Sequence, residues 1–330
     1  MSDEHLPRVT VITGYYNRGA LLDRTLQSLL DQTYPNLEII VFDDCSPDDT
    51  AERLKTYAAR NDPRLKIIQH ETNMGFTRGM INAISQASGE YIAVQGSGDV
   101  STPDRIAEQA AVLNSRPEVG VVGSHYDNIV EQAGIARTRT PNANSMSLDR
   151  LVLGNVFSHG EVMFRRSAYD KAGGYRPEFK YCQDYDLWLR MIKVCEFYTV
   201  PRVLYNRYVQ FSGVSYDPEK ASIQMRYSIL ARRMALAPEV DAEAMFKCLS
   251  DAGPAALIPA SDRELQRRIF KAALRSIVWG DGTQALRFGE LLMPGVKRAS
   301  IPIIEKLFSS SVFSFPRKII YKYIGVSFSN

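Results

Sequence analysis

Cysteine is scarce in this chain: four residues in 330, at 45, 182, 195 and 248, with no C-x-x-C pair. That spacing excludes a disulfide framework and a thiolate zinc site, and the four read as reduced, buried thiols. No run of about 18 consecutive apolar residues occurs, so no membrane-crossing helix is expected. The opening MSDEHLPRVTVITGYYNR is polar and acidic before a short apolar stretch, unlike a secretory signal, and a cytoplasmic location is the expectation. Also absent are a G-x-G-x-x-G opening a helix after the first strand and a G-x-x-x-x-G-K-[ST], which argues against dinucleotide and P-loop phosphate sites. Net charge is small, +3, but it averages two regions. Residues 262–330 hold 12 Lys/Arg against 5 Asp/Glu, and the other 261 residues hold 28 against 32. A mildly acidic body therefore carries a basic tail.

With 45% hydrophobic residues there is ample material for a folded core. Through about residue 120, β-branched runs alternate with amphipathic stretches. Strands are expected at Arg8–Thr13, Leu37–Phe42, Leu65–Gln69, Glu90–Gln95 and Val119–Gly123. Helices are expected over 20–30, from a cap at Ser46 or Asp48 to Ala59, over 77–87 and over 103–113. This is the pattern of an α/β fold with a parallel sheet and helices on both faces. Ligands of such sheets bind at the carboxyl ends of the strands. The residues there are Gly14-Tyr15-Tyr16-Asn17, Asp43-Asp44 and Gly96-Ser97-Gly98-Asp99, carboxylates and amides suited to a nucleotide held by base and ribose.

The stretch VTVITGYYNRGALLDRTLQSLLDQTYPNLEIIVFDDCSPDDT resembles the opening of the family 2 glycosyltransferases. The likeness continues through Asn73-Met74-Gly75, Gly89–Ile92, Pro103-Asp104-Arg105 with Gln109, His159–Arg166, Gly173-Gly174-Tyr175 and Gln183–Arg190, covering about residues 8–215. It implies a GT-A fold, mainly parallel and Rossmann-like, over 1–216. Residues 1–123 would be the nucleotide-sugar half and 124–216 the acceptor half. It implies an inverting transfer from a UDP- or dTDP-sugar to a hydroxyl acceptor, a glycan or a lipid-linked or surface-polysaccharide precursor.

By the same resemblance, Asp44 reads the base, with Thr13, Tyr15 and Asn17 lining its pocket; packing is the other reading of Tyr15. Arg78 either reaches the donor phosphates or is a solvated helix residue. The family's D-x-D-D, which holds Mg or Mn at the diphosphate, is here Gly96-Ser97-Gly98-Asp99, and no histidine occurs across Tyr208–Ser215. Three readings of that gap stay open. Asp99 holds a metal mostly through water and phosphate, transfer runs without metal, or the chain binds nucleotide sugar without catalysis. Gly98, with Gly96, would let a phosphate approach the backbone. Asp184, in a Gln183-Asp184 pair at a helix start, matches the catalytic base. Asp186 reads as the helical partner of Arg190. His159 and Trp188 are acceptor-side candidates, and Trp188 equally suits the core.

Past Asp217 the strand signals stop. Helices are expected at 219–236, 242–249, 262–279 and 283–292, making residues 217–330 a basic helical region. Arg263, Arg267, Arg268, Lys271 and Arg275 line one such helix, and 313–324 mixes aromatics with Arg317, Lys318 and Lys322. An anionic membrane surface and a solvated face packed on a core are both consistent with this. No nucleic-acid recognition motif accompanies the charge.

Overall fold

The strand–helix alternation is present in space. β1 (Val9–Tyr15), α1 (Leu22–Leu30), β2 (Leu37–Asp43), α2 (Thr50–Ala58), β3 (Leu65–Gln69), α3 (Phe76–Ser85) and β4 (Tyr91–Gln95) follow in order. The source is a computed structural model describing residues 6–209 and 217–309. β1, β2 and β4 are buried at every position, as their unbroken apolar runs require for strands covered on both faces. Alternate side chains define the two faces. Val9, Val11 and Tyr15 join Leu22, Leu26 and Leu29 of α1 in one core cluster. On the other face α3 packs close, and a methyl added at its Gly79 would fall 2.4 Å from the Phe42 ring.

After β4 come β5 (Val100–Ser101), α4 (Arg105–Ser115), β6 (Val119–Val130), β7 (Ile135–Arg139), α5 (Leu148–Leu151), β8 (Met163–Arg165), α6 (Arg166–Lys171), α7 (Gln183–Met191) and β9 (Glu196–Tyr208). The sheet order is β3-β2-β1-β4-β8-β6-β9-β5, with β7 paired to β6. The sheet is mainly parallel, as expected, with β6 and β9 also paired in parallel. The β3-β2-β1-β4 half is parallel, but β8 is wedged antiparallel between β4 and β6. The sheet is mixed because β8 arrives from 70 residues downstream of β4, a pairing that local periodicity does not encode.

Contacts divide the chain into two units, 1–210 and 211–330. The second is helical: α8 (Pro218–Leu236), α9 (Glu239–Ala252), α10 (Pro254–Leu257), α11 (Arg263–Trp279), α12 (Gly282–Glu290) and α13 (Val296–Ser309). The starts of α8, α11 and α12 are side-chain capped, by Asp217 on Lys220 N, Asp262 on Glu264 and Leu265 N, and Asp281 on Gln284 N. α13 was not expected, since Pro302 interrupts its pattern. On α11, Leu265, Ile269, Ala273 and Ile277 are buried while Arg263, Arg267 and Lys271 are exposed. The aromatic–basic stretch 313–324 and most of 208–215 lie outside the described residues. Among the described residues, no helix is long and apolar enough to cross a membrane. The four cysteines are free thiols, but none is fully buried as expected: Cys182, Cys195 and Cys248 are half-buried, and Cys45 is exposed in a left-handed turn at the strand end, φ 59°.

Candidate active site at the strand ends

The loop after β4 is built by hydrogen bonds. Asp99 N–H donates to Gly96 O at 3.1 Å, closing a turn with Gly98 at φ 98°. Gly98 N–H donates to Thr25 Oγ1, and Thr25 Oγ1 and Gln95 Nε2 both donate to Asp99 O, each at 2.9 Å. Arg105, fully buried, donates to Val94 O, Gln95 Oε1 and Ser101 Oγ, so α4 locks the end of β4 in place. Arg18, from the loop after β1, donates through Nη1 to Ser97 O at 3.1 Å and Ser97 Oγ at 3.2 Å.

Asp99 is engaged by β9 through both carboxylate oxygens. Its Oδ2 accepts from Tyr205 O–H at 2.6 Å and its Oδ1 from Tyr208 N–H at 2.8 Å. Burial raises its carboxyl above the usual range, against these bonds and the charges of Arg207 and Arg18. The same Tyr205 oxygen accepts from Gly96 N–H at 3.0 Å. A Cβ at Gly96 would lie 2.3 Å from Asp99 Oδ2 and 2.9 Å from Tyr205 O; one at Gly98 would lie 2.9 Å from Leu21 Cδ1. A D-x-D therefore cannot occupy this turn without moving Asp99. Among the described residues no group of three His, Cys, Asp or Glu side chains is placed to hold a metal. With Asp99 engaged on both oxygens, the residues present do not fit a protein-held divalent cation.

At the base end, Asp44 is 3% exposed. Its Oδ1 meets His70 Nδ1 at 3.0 Å and accepts from Met74 N–H at 2.9 Å, and its Oδ2 accepts from Gly75 N–H at 2.8 Å. Asn82 donating to His70 Nε2 at 3.0 Å assigns the proton to Nδ1, so the imidazole donates to Asp44. Both oxygens of Asp44 are thus engaged, and the residue holds the 70–75 loop at the end of β2. Thr13 and Tyr15 are 0% and 1% exposed, turned by alternation to the same face as Val9 and Val11. Asn17 is exposed at φ 54°, its N–H donating to Ser46 Oγ at 3.0 Å. Ser46 in turn donates to Asp43, and Asp48 rather than Ser46 accepts from Thr50 N–H at the start of α2. Arg78 is exposed on α3 with no hydrogen bond or ion pair among the described residues.

A single turn, 159–161, packs against the Gly96 loop. Gly160 seats against Tyr205 and Gly96: a Cβ there would be 2.1 Å from the Tyr205 oxygen and 3.0 Å from Gly96 N. This puts His159 next to the Gly96 loop. His159 Nε2 shares a 2.6 Å hydrogen bond with Tyr175 O–H. Burial lowers its pKa, and the neighbouring Asp184 carboxylate opposes that. Asp184 sits on the first turn of α7, partly exposed, with Oδ2 accepting from Asn155 Nδ2 at 2.8 Å. Asp186 pairs with Arg190 at 2.6 Å. Trp188 is 0% exposed, its ring edge-on to Phe157, Phe164 and His159, so it offers no face to a sugar. The exposed aromatic beside His159 is Phe76, 38% accessible and edge-on to it at 5.7 Å.

His159 lies beside the Gly96 turn and near the Asp184 carboxylate, Trp188 is buried edge-on against His159, and Thr13 and Tyr15 are buried under the strand ends. Sequence reasoning missed Arg18, Tyr205, Asn155 and Phe76. Arg18 adjoins Asn17 and was within reach of a charge argument; Tyr205 lies 106 residues from Asp99, beyond any local signal.

The model of "Glycosyl transferase family 2" matches residues 10–173. The chain is 36% identical to the Bacillus subtilis "Putative glycosyltransferase EpsE", over 57% of this chain and 67% of that one. It is 30% identical to an Escherichia coli O-antigen biosynthesis glycosyltransferase, WbnJ, over 59% and 76%. An uncharacterized glycosyltransferase of Haemophilus influenzae is 28% identical, with 60% of its length matched. Among solved structures, S. aureus TarS 1-349 in complex with UDP-GlcNAc superposes with TM-score 0.58 at 19% identity, covering 94% of this chain and 92% of that one. The mannosyltransferase PcManGT of Pyrobaculum calidifontis, solved with GDP-Man and Mn2+, gives 0.57 at 18%, covering 96% and 84%. With its GT-A-like mixed sheet and flanking helices, the chain belongs to glycosyl transferase family 2.

Proposed function

We propose that the chain transfers a sugar from a nucleotide-diphosphate donor, UDP- or dTDP-linked, to a hydroxyl of a glycan or lipid-linked surface-polysaccharide precursor, with inversion at the anomeric carbon. The observation that carries this is the junction of Gly96, Gly160 and Tyr205, which sets the His159–Asp184 pair beside the loop where the family places the donor's diphosphate. Asp184 is the base: it is partly exposed, oriented by Asn155, and takes the acceptor proton as the hydroxyl oxygen attacks. A positioned base of this kind contributes about 10²–10⁴-fold. His159, kept neutral by burial, and Phe76 form the acceptor wall. Asp44 acts on the base through the Met74-Gly75 loop it holds. UDP-GlcNAc in TarS and GDP-Man in PcManGT support a nucleotide-sugar donor, and relatives in polysaccharide biosynthesis support the acceptor class. The exposed basic side chains of α11 suit peripheral contact with an anionic membrane on the cytoplasmic side.

The test is nucleotide release from a panel of nucleotide sugars with crude lipid acceptors, with and without EDTA, followed by NMR of the product anomer. Asp184→Asn is expected to lower turnover about 10²–10⁴-fold while donor affinity stays within about twofold. The rival, a non-catalytic nucleotide-sugar-binding protein, is motivated by the missing D-x-D; it predicts binding without release in every condition, unaltered by Asp184→Asn.

A further inference from the structure

The turn at 96–98 lacks carboxylates, but it does not lack charge. Arg18 reaches it from one side and is pinned by one nitrogen only: Nη1 holds Ser97 O and Ser97 Oγ, while Nε and Nη2 have no hydrogen-bond partner among the described residues. The side chain is partly exposed, at the strand ends between Asn17 and Ser97. Arg24, from α1, underlies the same turn. Its Nη2 lies 3.5 Å from where a Gly98 Cβ would stand, and its Nε and Nη2 are buried without a hydrogen-bond partner among the described residues. Stacking at 3.9 Å over the Tyr208 ring and a 3.0 Å pairing of Nη1 with Glu131 hold it there. Glu131 is half exposed, so solvent screens that pair and leaves much of the Arg24 charge uncompensated beneath Gly98.

Where a D-x-D joins a diphosphate, a metal must stand between two sets of anionic oxygens. Here the protein side is cationic, and a guanidinium meets phosphate oxygens directly through its planar fork. We propose that Arg18 binds the leaving diphosphate directly, with the Arg24 charge beneath Gly98 as support, so that donor binding needs no divalent cation. The inference rests on the nucleotide-sugar reading above. The chemistry balances without a metal. The acceptor oxygen forms the new bond to the anomeric carbon, and the bond from that carbon to the diphosphate breaks with its electron pair. Asp184 takes the acceptor proton, and the negative charge left on the diphosphate faces Arg18. Arg24 touches no reacting atom in this scheme and is a positioning residue.

Calorimetric titration of the full chain with UDP, dTDP and GDP, and with uridine, thymidine and guanosine, in excess EDTA or with Mn2+, tests it. The nucleoside diphosphate that binds is expected to keep its affinity in EDTA to within about threefold. Arg18→Ala is expected to weaken it about 10–100-fold, the scale of lost charge-assisted hydrogen bonds, with nucleoside affinity unchanged to within about twofold. Arg18→Lys should fall between. The unchanged nucleoside affinity separates loss of a phosphate contact from loss of fold. Equal weakening of nucleoside and diphosphate, no weakening at all, or a tenfold or greater loss in EDTA would overturn the proposal. If no nucleoside diphosphate binds in either condition, the nucleotide-sugar reading itself fails and takes this inference with it. If a diphosphate binds only with Mn2+, that reading survives and this inference alone is lost.

Discussion

Restoring the family's first D-x-D aspartate is the sharpest perturbation the site allows. In Gly96→Asp the new Cβ would stand 2.3 Å from Asp99 Oδ2 and 2.9 Å from the Tyr205 oxygen. Asp99 is the end of a side chain and can swing, but only by releasing Tyr205 O–H and Tyr208 N–H, which it now accepts at 2.6 and 2.8 Å. Two buried donors left unpaired cost about 1–3 kcal/mol each, and residual overpacking adds about 1 kcal/mol or more. Taking roughly 4 kcal/mol for a unit of this size, the melting temperature should fall by roughly 10 °C. Thermal unfolding followed by circular dichroism reads this, with Mn2+ titrated into parent and variant. Gly96→Ala, which adds the clash without the charge, should lose about 1–3 kcal/mol. A Gly96→Asp chain that melts within about 2 °C of the parent and gains Mn2+-dependent donor binding would refute the view that Asp99 is a structural clasp.

Other consequences follow from the buried groups. Asp44→Asn replaces an acceptor of His70, Met74 and Gly75 by an amide whose N–H₂ faces donors, so urea unfolding should show a loss of about 2–4 kcal/mol. A change in nucleotide preference with parental stability would contradict the loop-holding role. Glu161 is fully buried, accepting from Ser124 N–H, and desolvation pushes its carboxyl from 4.5 up to about 8. A raised carboxyl pKa means the folded state holds a proton the unfolded chain has released. Its contribution is complete below about pH 4.5 and lost by about pH 8, with a slope approaching roughly 1 kcal/mol per pH unit. Urea midpoints across that window should decline in the parent and flatten in Glu161→Gln; parallel slopes would exclude Glu161 as the cause.

Much of the fold is legible in local pattern. Unbroken apolar runs mark β1, β2 and β4, and helical spacing marks α1 and α11, because burial on two faces or one stripe imposes composition directly. Asp184 is legible as well, placed by the motif at the start of α7. What sequence left open were residues whose orientation depends on neighbours far along the chain. Tyr15 reads as a cleft residue from its place near a strand end, yet β1 alternation and the packing of α1 turn it inward. Trp188 stands four residues past Asp184 on the same helix, but Phe157 and Phe164, from distant segments, close over it.

The sequence by itself determined the α/β alternation, the family, and the absence of carboxylates at 96 and 98, since each is a matter of residue identity and short-range order. Only the tertiary structure decided what that absence means. Tyr205 and Tyr208, more than 100 residues away, occupy both oxygens of Asp99, while Arg18 and Arg24 arrive from another loop and helix to charge the turn. A carboxylate's role is set by which donors and charges share its few ångströms of space, and chain folding, not sequence proximity, selects them.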